Sequence, residues 1–264
     1  MNGVINLSNY QVALAFVFIL IVFIIFKHRG IRKEKELIIS SLRMTFQLVL
    51  VGYLLTYIFK NPNPIVTMII IFLMEVFSVY TIFKKFKNRL SNNLKKVIAL
   101  SVSLGTFICI IYFLLVVVRI KPWYNPQYLI PIAGMFIGNS MTGVGLGINS
   151  LVEGMTTKKE YIEEALILGA TPKIASKEII NNSFDAAIMP TMNSMIGMGI
   201  VFLPGMMTGQ ILSGIIPTTA ISYQIVIMLG ILGSVSLSII STLIFGYKTF
   251  FNKENQLNIY LNSK

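Results

Sequence analysis

The chain has 264 residues, of which 55% are apolar and 12% charged, with mean hydropathy +0.77 and net charge +12. Soluble domains carry about 25% charged residues, so the deficit argues against a soluble enzyme and for a polytopic membrane protein. One cysteine and one histidine exclude a disulfide framework and a Cys/His zinc site.

A membrane-spanning helix needs about 20 mostly apolar residues, and runs of suitable length recur along the chain. The first is Tyr10–Phe26; no basic segment precedes it, so it is expected to be a retained anchor rather than a cleaved signal. Lys27–Glu36 follows with five Lys/Arg and with His28, which reads as a flanking charge. The second run, Ile38–Phe59, carries Arg43 and, one turn on, Gln47. Lys60–Pro64 is a tight turn, since proline cannot continue a helix. The third run, Ile65–Phe83, carries Glu75, and Lys84–Lys96 then brings six Lys/Arg. The fourth, Val97–Val118, holds Cys109, which reads as a small packing residue. In the loop Arg119–Gln127, Trp123 and Tyr124 suit the membrane–water boundary.

The fifth run, Tyr128–Ile148, contains Gly134 and Gly138 in a G-x-x-x-G, a spacing that permits close helix approach. Its Asn139, Ser140 and Thr142 need partners or a wet cavity if they lie in hydrocarbon. Four Lys/Arg lie in Asn149–Ser183. Asp185 stands just before the sixth run, Ala186–Leu203, which carries Met189, Met192, Met195 and Met198 at every third position, with Asn193 and Ser194 among them. Pro204–Pro217 is uncharged and bounded by prolines; it reads as a re-entrant or interfacial segment, or as an apolar outer hairpin. The seventh run is Ile221–Phe245, and three Lys follow Tyr247.

Charge sets the orientation. Eighteen Lys/Arg fall in alternate loops on one side, against Lys60, Arg119 and Lys121 on the other. Under the positive-inside rule the N-terminus is expected outside and the C-terminus inside. The fold expected is therefore all-α, with seven transmembrane helices in a single domain, 1–264, and no soluble domain at either end. The basic charge is spent on topology, which argues against nucleic acid as a partner.

Between the fifth and sixth runs lies a charged segment. Tyr161, Ile162, Ala165, Leu166 and Leu168 recur at helical spacing, and Glu160, Glu163 and Glu164 sit at the positive dipole end of that helix. Gly169 ends it, and Thr171 caps a second helix with Pro172 in first position. Spacing alone leaves two readings: a helix-corner-helix offered to a cytosolic protein, or an amphipathic helix lying on lipid.

Glu163-Glu164-Ala165 followed by Gly169 resembles the EAA-x-x-x-G coupling segment of ABC-transporter permeases, with Glu164 in place of the second-position Ala. Five runs follow in order along the chain from the second span onward: Arg43-x-x-x-Gln47-Leu-x-x-x-Gly52-Tyr, Ile130–Met135, Gly138-Asn139, Leu168–Pro172 and Leu203–Met207. Together these resemble the bacterial iron-export permeases of the FetB type, a family that includes plant aluminium-tolerance permeases. The resemblance implies a permease in the cell membrane, paired with a separate cytosolic ATPase and with a second copy of itself. It implies an ATPase-docking role for Glu163, Glu164, Ala165, Gly169, Ala170, Thr171 and Pro172. The chain has no G-x-x-x-x-G-K-[ST], so ATP and Mg are expected on the partner and no cofactor is expected here.

Intramembrane polar groups are pathway candidates by default: Arg43, Gln47, Glu75, Asn139 and Asn193. Arg43 and Glu75 fall about 7 and 12 Å deep at 1.5 Å per residue, within reach of a pair, although Arg43 could instead snorkel to the headgroups. Glu75, Met192 and Met195 are the candidate metal ligands, although adaptable packing is the commoner use of a methionine stripe. The leading expectation is the permease subunit of an ATP-driven exporter for a metal ion such as iron. The alternatives are an ion-coupled carrier that uses Glu75, and a membrane scaffold that recruits a cytosolic protein.

Overall fold

Residues 7–86 and 89–258 are described by a computed structural model; Lys87 and Lys264, two of the charges counted above, lie outside the described residues. Ser8 caps α1 (Asn9–Ala15) in a reciprocal pair with Gln11, and α2 (Val17–His28) continues after a break at Phe16. Gly30, at φ +66°, turns the chain into α3 (Glu34–Lys60). Asn63 accepts from the N–H groups of Ile65 and Val66, and Pro64 takes the first position of α4 (Pro64–Lys85), where its missing N–H costs nothing. Ser91 caps α5 (Asn92–Tyr112), which runs on as a wider π turn, Phe113–Val118. Asn125 and Pro126 open α6 (Pro126–Thr157) in the same manner. Then come α7 (Lys159–Ile167), α8 (Pro172–Ala175), α9 (Lys177–Gly197), α10 (Gly205–Leu212), α11 (Pro217–Gly246) and a closing 3-10 turn, Tyr247–Phe250. Among the described residues no strand forms, only two isolated bridges.

Among the described residues six segments are long and apolar enough to cross a membrane: Asn9–His28, Glu34–Lys60, Pro64–Lys85, Asn92–Val118, Pro126–Thr157 and Pro217–Phe250. The span expected at Ala186–Leu203 is not among them. Its helix, α9, begins earlier, among Lys177, Glu178, Asn181, Asn182 and Asp185, and stops at Gly197. Met198 is extended there, Gly199 adopts φ +85°, and the Gly199 N–H donates to the Phe202 carbonyl at 2.9 Å. The chain turns where a seventh span would have continued. The expected re-entrant segment, Pro204–Pro217, forms the short helix α10, which packs on α11 and buries Met207.

The core is built on α6 and α11. The two helices pack on each other, and each also packs on α5 and α9; α4 leans on α6. One apolar cluster gathers Leu94, Ile98, Ile148, Leu151, Ile179 and Ile239. A second gathers Phe113, Leu129, Ile132, Phe136, Ile227 and Ile231, with the rings of Phe113 and Phe136 edge-on at 5.2 Å. Two glycines permit this closeness. A Cβ on Gly105 would lie 2.8 Å from the Ser238 backbone nitrogen, and one on Gly230 would strike the Phe136 ring. Between α6 and α11, Ser140 and Ser234 share a buried hydrogen bond of 2.9 Å. The α2–α3 hairpin touches this body lightly, through α3 against α6: Ile58 is the buried residue of α3, and α2 has none.

Candidate functional site

A close backbone approach joins α6 to α9. A Cβ on Gly143 would lie 3.1 Å from the Ala187 carbonyl, and one on Gly147 would lie 3.1 Å from the Ser183 carbonyl. Small residues four apart on both helices thus face each other. This corrects the expected G-x-x-x-G contact: Gly134 meets only the tip of Met74, and Gly138 faces open space.

Beside this seam runs a polar stripe. Asn139 and Thr142 lie three residues apart on α6, Asn149, Glu153 and Thr157 continue that face two turns on at four-residue steps, and Asn182 and Asn193 lie on α9. Asn139 donates to the Met135 carbonyl and Thr142 to the Gly138 carbonyl, so both are satisfied along their own helix while remaining exposed. At the α7 end the stripe opens into a recess of about 320 Å³ lined by Asn149, Ser150, Glu153, Asn182 and Ala186. Pro190 lies inside α9 and has no N–H, so the Ala186 carbonyl lacks its helical donor. Lys158 borders the recess but is engaged elsewhere, 2.7 Å from Glu178. Among the described residues Glu153 is in no ion pair. Carboxylate, amide, hydroxyl and carbonyl oxygens in one recess form a donor set for a hard cation.

The charged segment forms a rigid elbow at the same end. Inside, Ile162 is fully buried and Ala165 and Leu166 pack on the first apolar cluster. The helix ends in a Schellman arrangement: Gly169, at φ +88°, donates its N–H to the Leu166 carbonyl at 3.0 Å, and Ala170 donates to Ala165 at 2.9 Å. Thr171 then caps α8 through the Ile174 N–H, with Pro172 in first position. The expected second helix is only four residues long; Ser176, whose hydroxyl donates to the Pro172 carbonyl, separates it from α9. Glu163 pairs with Lys159 at 3.7 Å and Glu164 is exposed. At the tip, Ile167 and Leu168 are 84% and 87% exposed, and Ile174 is 64% exposed.

Other expected residues scatter. Arg43 does not pair with Glu75: its guanidinium stands 5.3 Å over the Phe77 ring, while Glu75 accepts from the Thr106 hydroxyl at 3.1 Å. Gln47 is exposed, away from both clusters. The methionine stripe divides. Met189 and Met192 are exposed, whereas Met195 and Met198 pack with Met135 and Met206 against the second cluster. A three-residue step falls about 60° short of a full turn at 3.6 residues per turn, so four such residues wind around the helix. Asp185 borders a separate recess of about 390 Å³ between α9 and α11. Among the described residues no three His, Cys, Asp or Glu side chains gather. Sequence reasoning missed Glu153 and Asn182. The signal that points to Glu153 is its four-residue spacing from Asn149 and Thr157, beyond the end of the fifth apolar run; Asn182 carries no such signal, because it meets Glu153 only through the packing of α9 on α6.

The chain matches the family described as "Uncharacterised protein family (UPF0014)" over residues 9–251. It is 34% identical to the "Probable iron export permease protein FetB" of Escherichia coli over 252 residues, covering 96% of this chain and 95% of that one. It is 33% identical to "Protein ALUMINUM SENSITIVE 3" of Arabidopsis thaliana over 249 residues, covering 94% of this chain and 89% of that one. The "UPF0014 membrane protein YjkA" of Bacillus subtilis is 32% identical over 247 residues, covering 94% and 97% respectively. No solved structure matches. With its long apolar helices and relatives matched almost end to end, the chain belongs to the UPF0014 family and is a multi-pass membrane protein.

Proposed function

We propose that this chain is the transmembrane permease subunit of an ATP-driven exporter, served by a separate cytosolic ATPase and carrying a metal ion such as iron. The observation that carries the reading is the α7–α8 elbow. It presents bare Ile167 and Leu168 at its tip and is joined at its base to both α6 and α9, the helices that bear the polar stripe. Force applied at the tip therefore reaches the stripe through helix ends rather than through loose loops. The cargo is supported by the name of the Escherichia coli relative, an iron export permease, and by the oxygen-rich recess at Glu153.

Two copies, each turning its polar stripe toward the other, give the exposed asparagines a wet path instead of lipid. The fifteen Lys/Arg of Lys27–Glu36, Lys84–Lys96 and Asn149–Ser183, against Lys60, Arg119 and Lys121 in the alternate loops, support a cytosolic elbow. Closure of the ATPase around ATP would rock the α6–α9 pairs and expose the path to each side in turn.

The experiment is reconstitution of the permease in vesicles with ferrous iron inside or outside. Flux that requires both the ATPase and ATP is expected. Flux that persists without the ATPase and collapses with the proton gradient would instead establish an ion-coupled carrier. ATPase binding with no cargo movement would establish a scaffold.

A further inference from the structure

A second site lies on the other flank of the molecule, away from the α6–α9 stripe. Between α4 and α5 opens a cavity of about 450 Å³. Its mouth is rimmed by Phe72, Leu104 and Phe107, all exposed, so it faces sideways toward the bilayer. The single charged residue in its lining is Glu75.

That carboxylate is poorly served. Oε1 is buried and has no hydrogen-bond partner. Oε2 receives the Thr106 hydroxyl at 3.1 Å, and that hydroxyl also lies 2.8 Å from the Val102 carbonyl and 3.2 Å from the Ser103 carbonyl. One hydroxyl hydrogen has three acceptors to choose from. Among the described residues no basic side chain pairs with Glu75. A buried carboxylate in such a setting requires a positive partner or a proton.

The walls decide what kind of partner fits. A hard divalent ion takes about six oxygen ligands, and side-chain oxygens here come only from Glu75, Ser103 and Thr106. The remaining lining is apolar, with the phenyl groups of Phe72 and Phe107 among it, and aromatic faces attract weakly hydrated organic cations. A second cavity of about 340 Å³ shares Met68, Ile71, Phe107 and Ile110 with the first and is lined by apolar residues and Trp123. An extended apolar body therefore has room beyond the charge.

We infer that the α4–α5 cavity binds a monovalent organic cation with a bulky apolar body, its charge held by Glu75 and its body lodged between Phe72 and Phe107. This goes beyond the metal-transport reading and stands without it, because the site shares no residue with the stripe or the elbow.

The probe is tetraphenylphosphonium, tested on the full chain in nanodiscs of neutral phosphatidylcholine, with empty nanodiscs as background. Saturable binding is expected, displaced by excess unlabelled cation but not by tetraphenylborate, which has the same shape and the opposite charge. Glu75→Gln should weaken binding more than about tenfold, as loss of a desolvated charge partner does. Ser103→Leu, which fills the cavity and leaves the carboxylate in place, should abolish it and so decides the matter if Glu75→Gln does not fold. Equal displacement by tetraphenylborate would show apolar partitioning only and overturn the proposal. So would displacement by ferrous ion, which would mark a bare-cation site. Absence of saturable binding would also overturn it, meaning that a proton, a lipid chain or a second copy already fills the cavity.

Discussion

Leu168 offers a quantitative test of the elbow. Its side chain is 87% exposed, so it has little native packing to lose. Leu168→Ala removes three carbons, worth about 0.8 kcal/mol each on transfer out of water, or about 2.4 kcal/mol for complete burial in a partner. Scaled by the fraction that docking still has to cover, the loss is about 2 kcal/mol, which is roughly 30-fold in Kd. Ile167→Ala should behave alike, because that side chain is also bare, at 84%. The folded state should hardly notice, with a change within about 0.5 kcal/mol as for other surface sites. The assay is titration of the purified ATPase onto nanodisc-embedded permease, with thermal unfolding followed in parallel. A Kd shift below about threefold in both variants would refute the docking argument. An environment-sensitive label at Leu168 that reports acyl chains, unchanged by the ATPase, would refute it independently.

Further expectations follow from the packing. Gly105→Ala should cost about 1–3 kcal/mol by overpacking, seen as a lower unfolding midpoint, because its Cβ would meet the Ser238 backbone; Gly145→Ala, with nothing within 4 Å, should not. Ser140→Ala should strand the Ser234 hydroxyl at about 1–3 kcal/mol, and Ser140→Ala with Ser234→Ala should recover much of it, as a double-mutant cycle would measure. Thr171→Ala removes the α8 cap, worth about 1 kcal/mol; faster amide exchange at Ile174 would report it without a matching fall in global stability. Glu153→Gln should lower metal flux in reconstituted vesicles and leave ATPase affinity unaltered; equal flux would remove the recess from the pathway.

Much of the architecture was legible because its causes are local. Apolar runs, the Lys60–Pro64 turn and the Gly169-Ala-Thr-Pro172 corner with its Thr171 cap act within a few residues, and each appears as a helix, a turn or a cap. The end of α9 was not legible, since apolarity continues through Ile200–Leu203 while the backbone turns on Gly199. The site was read less well because its parts meet across the sequence. Gly143 and Gly147 have meaning only against Ser183 and Ala187. Arg43 and Glu75 share a plausible depth, yet the choice between them is made by Phe77 and Thr106, on faces that depth does not encode.

The α2–α3 hairpin has a consequence for how this chain tolerates change. Every buried member of the two apolar clusters lies at Ile82 or later, so residues 64–258 contain the fold's whole keystone assembly. Residues 9–57 face outward along nearly their full length, and their sequence answers to lipid and neighbours more than to the core. A saturation library should therefore show a permissive first quarter, in which one greasy side chain replaces another freely, and a sharp rise in intolerance from Ile82 onward.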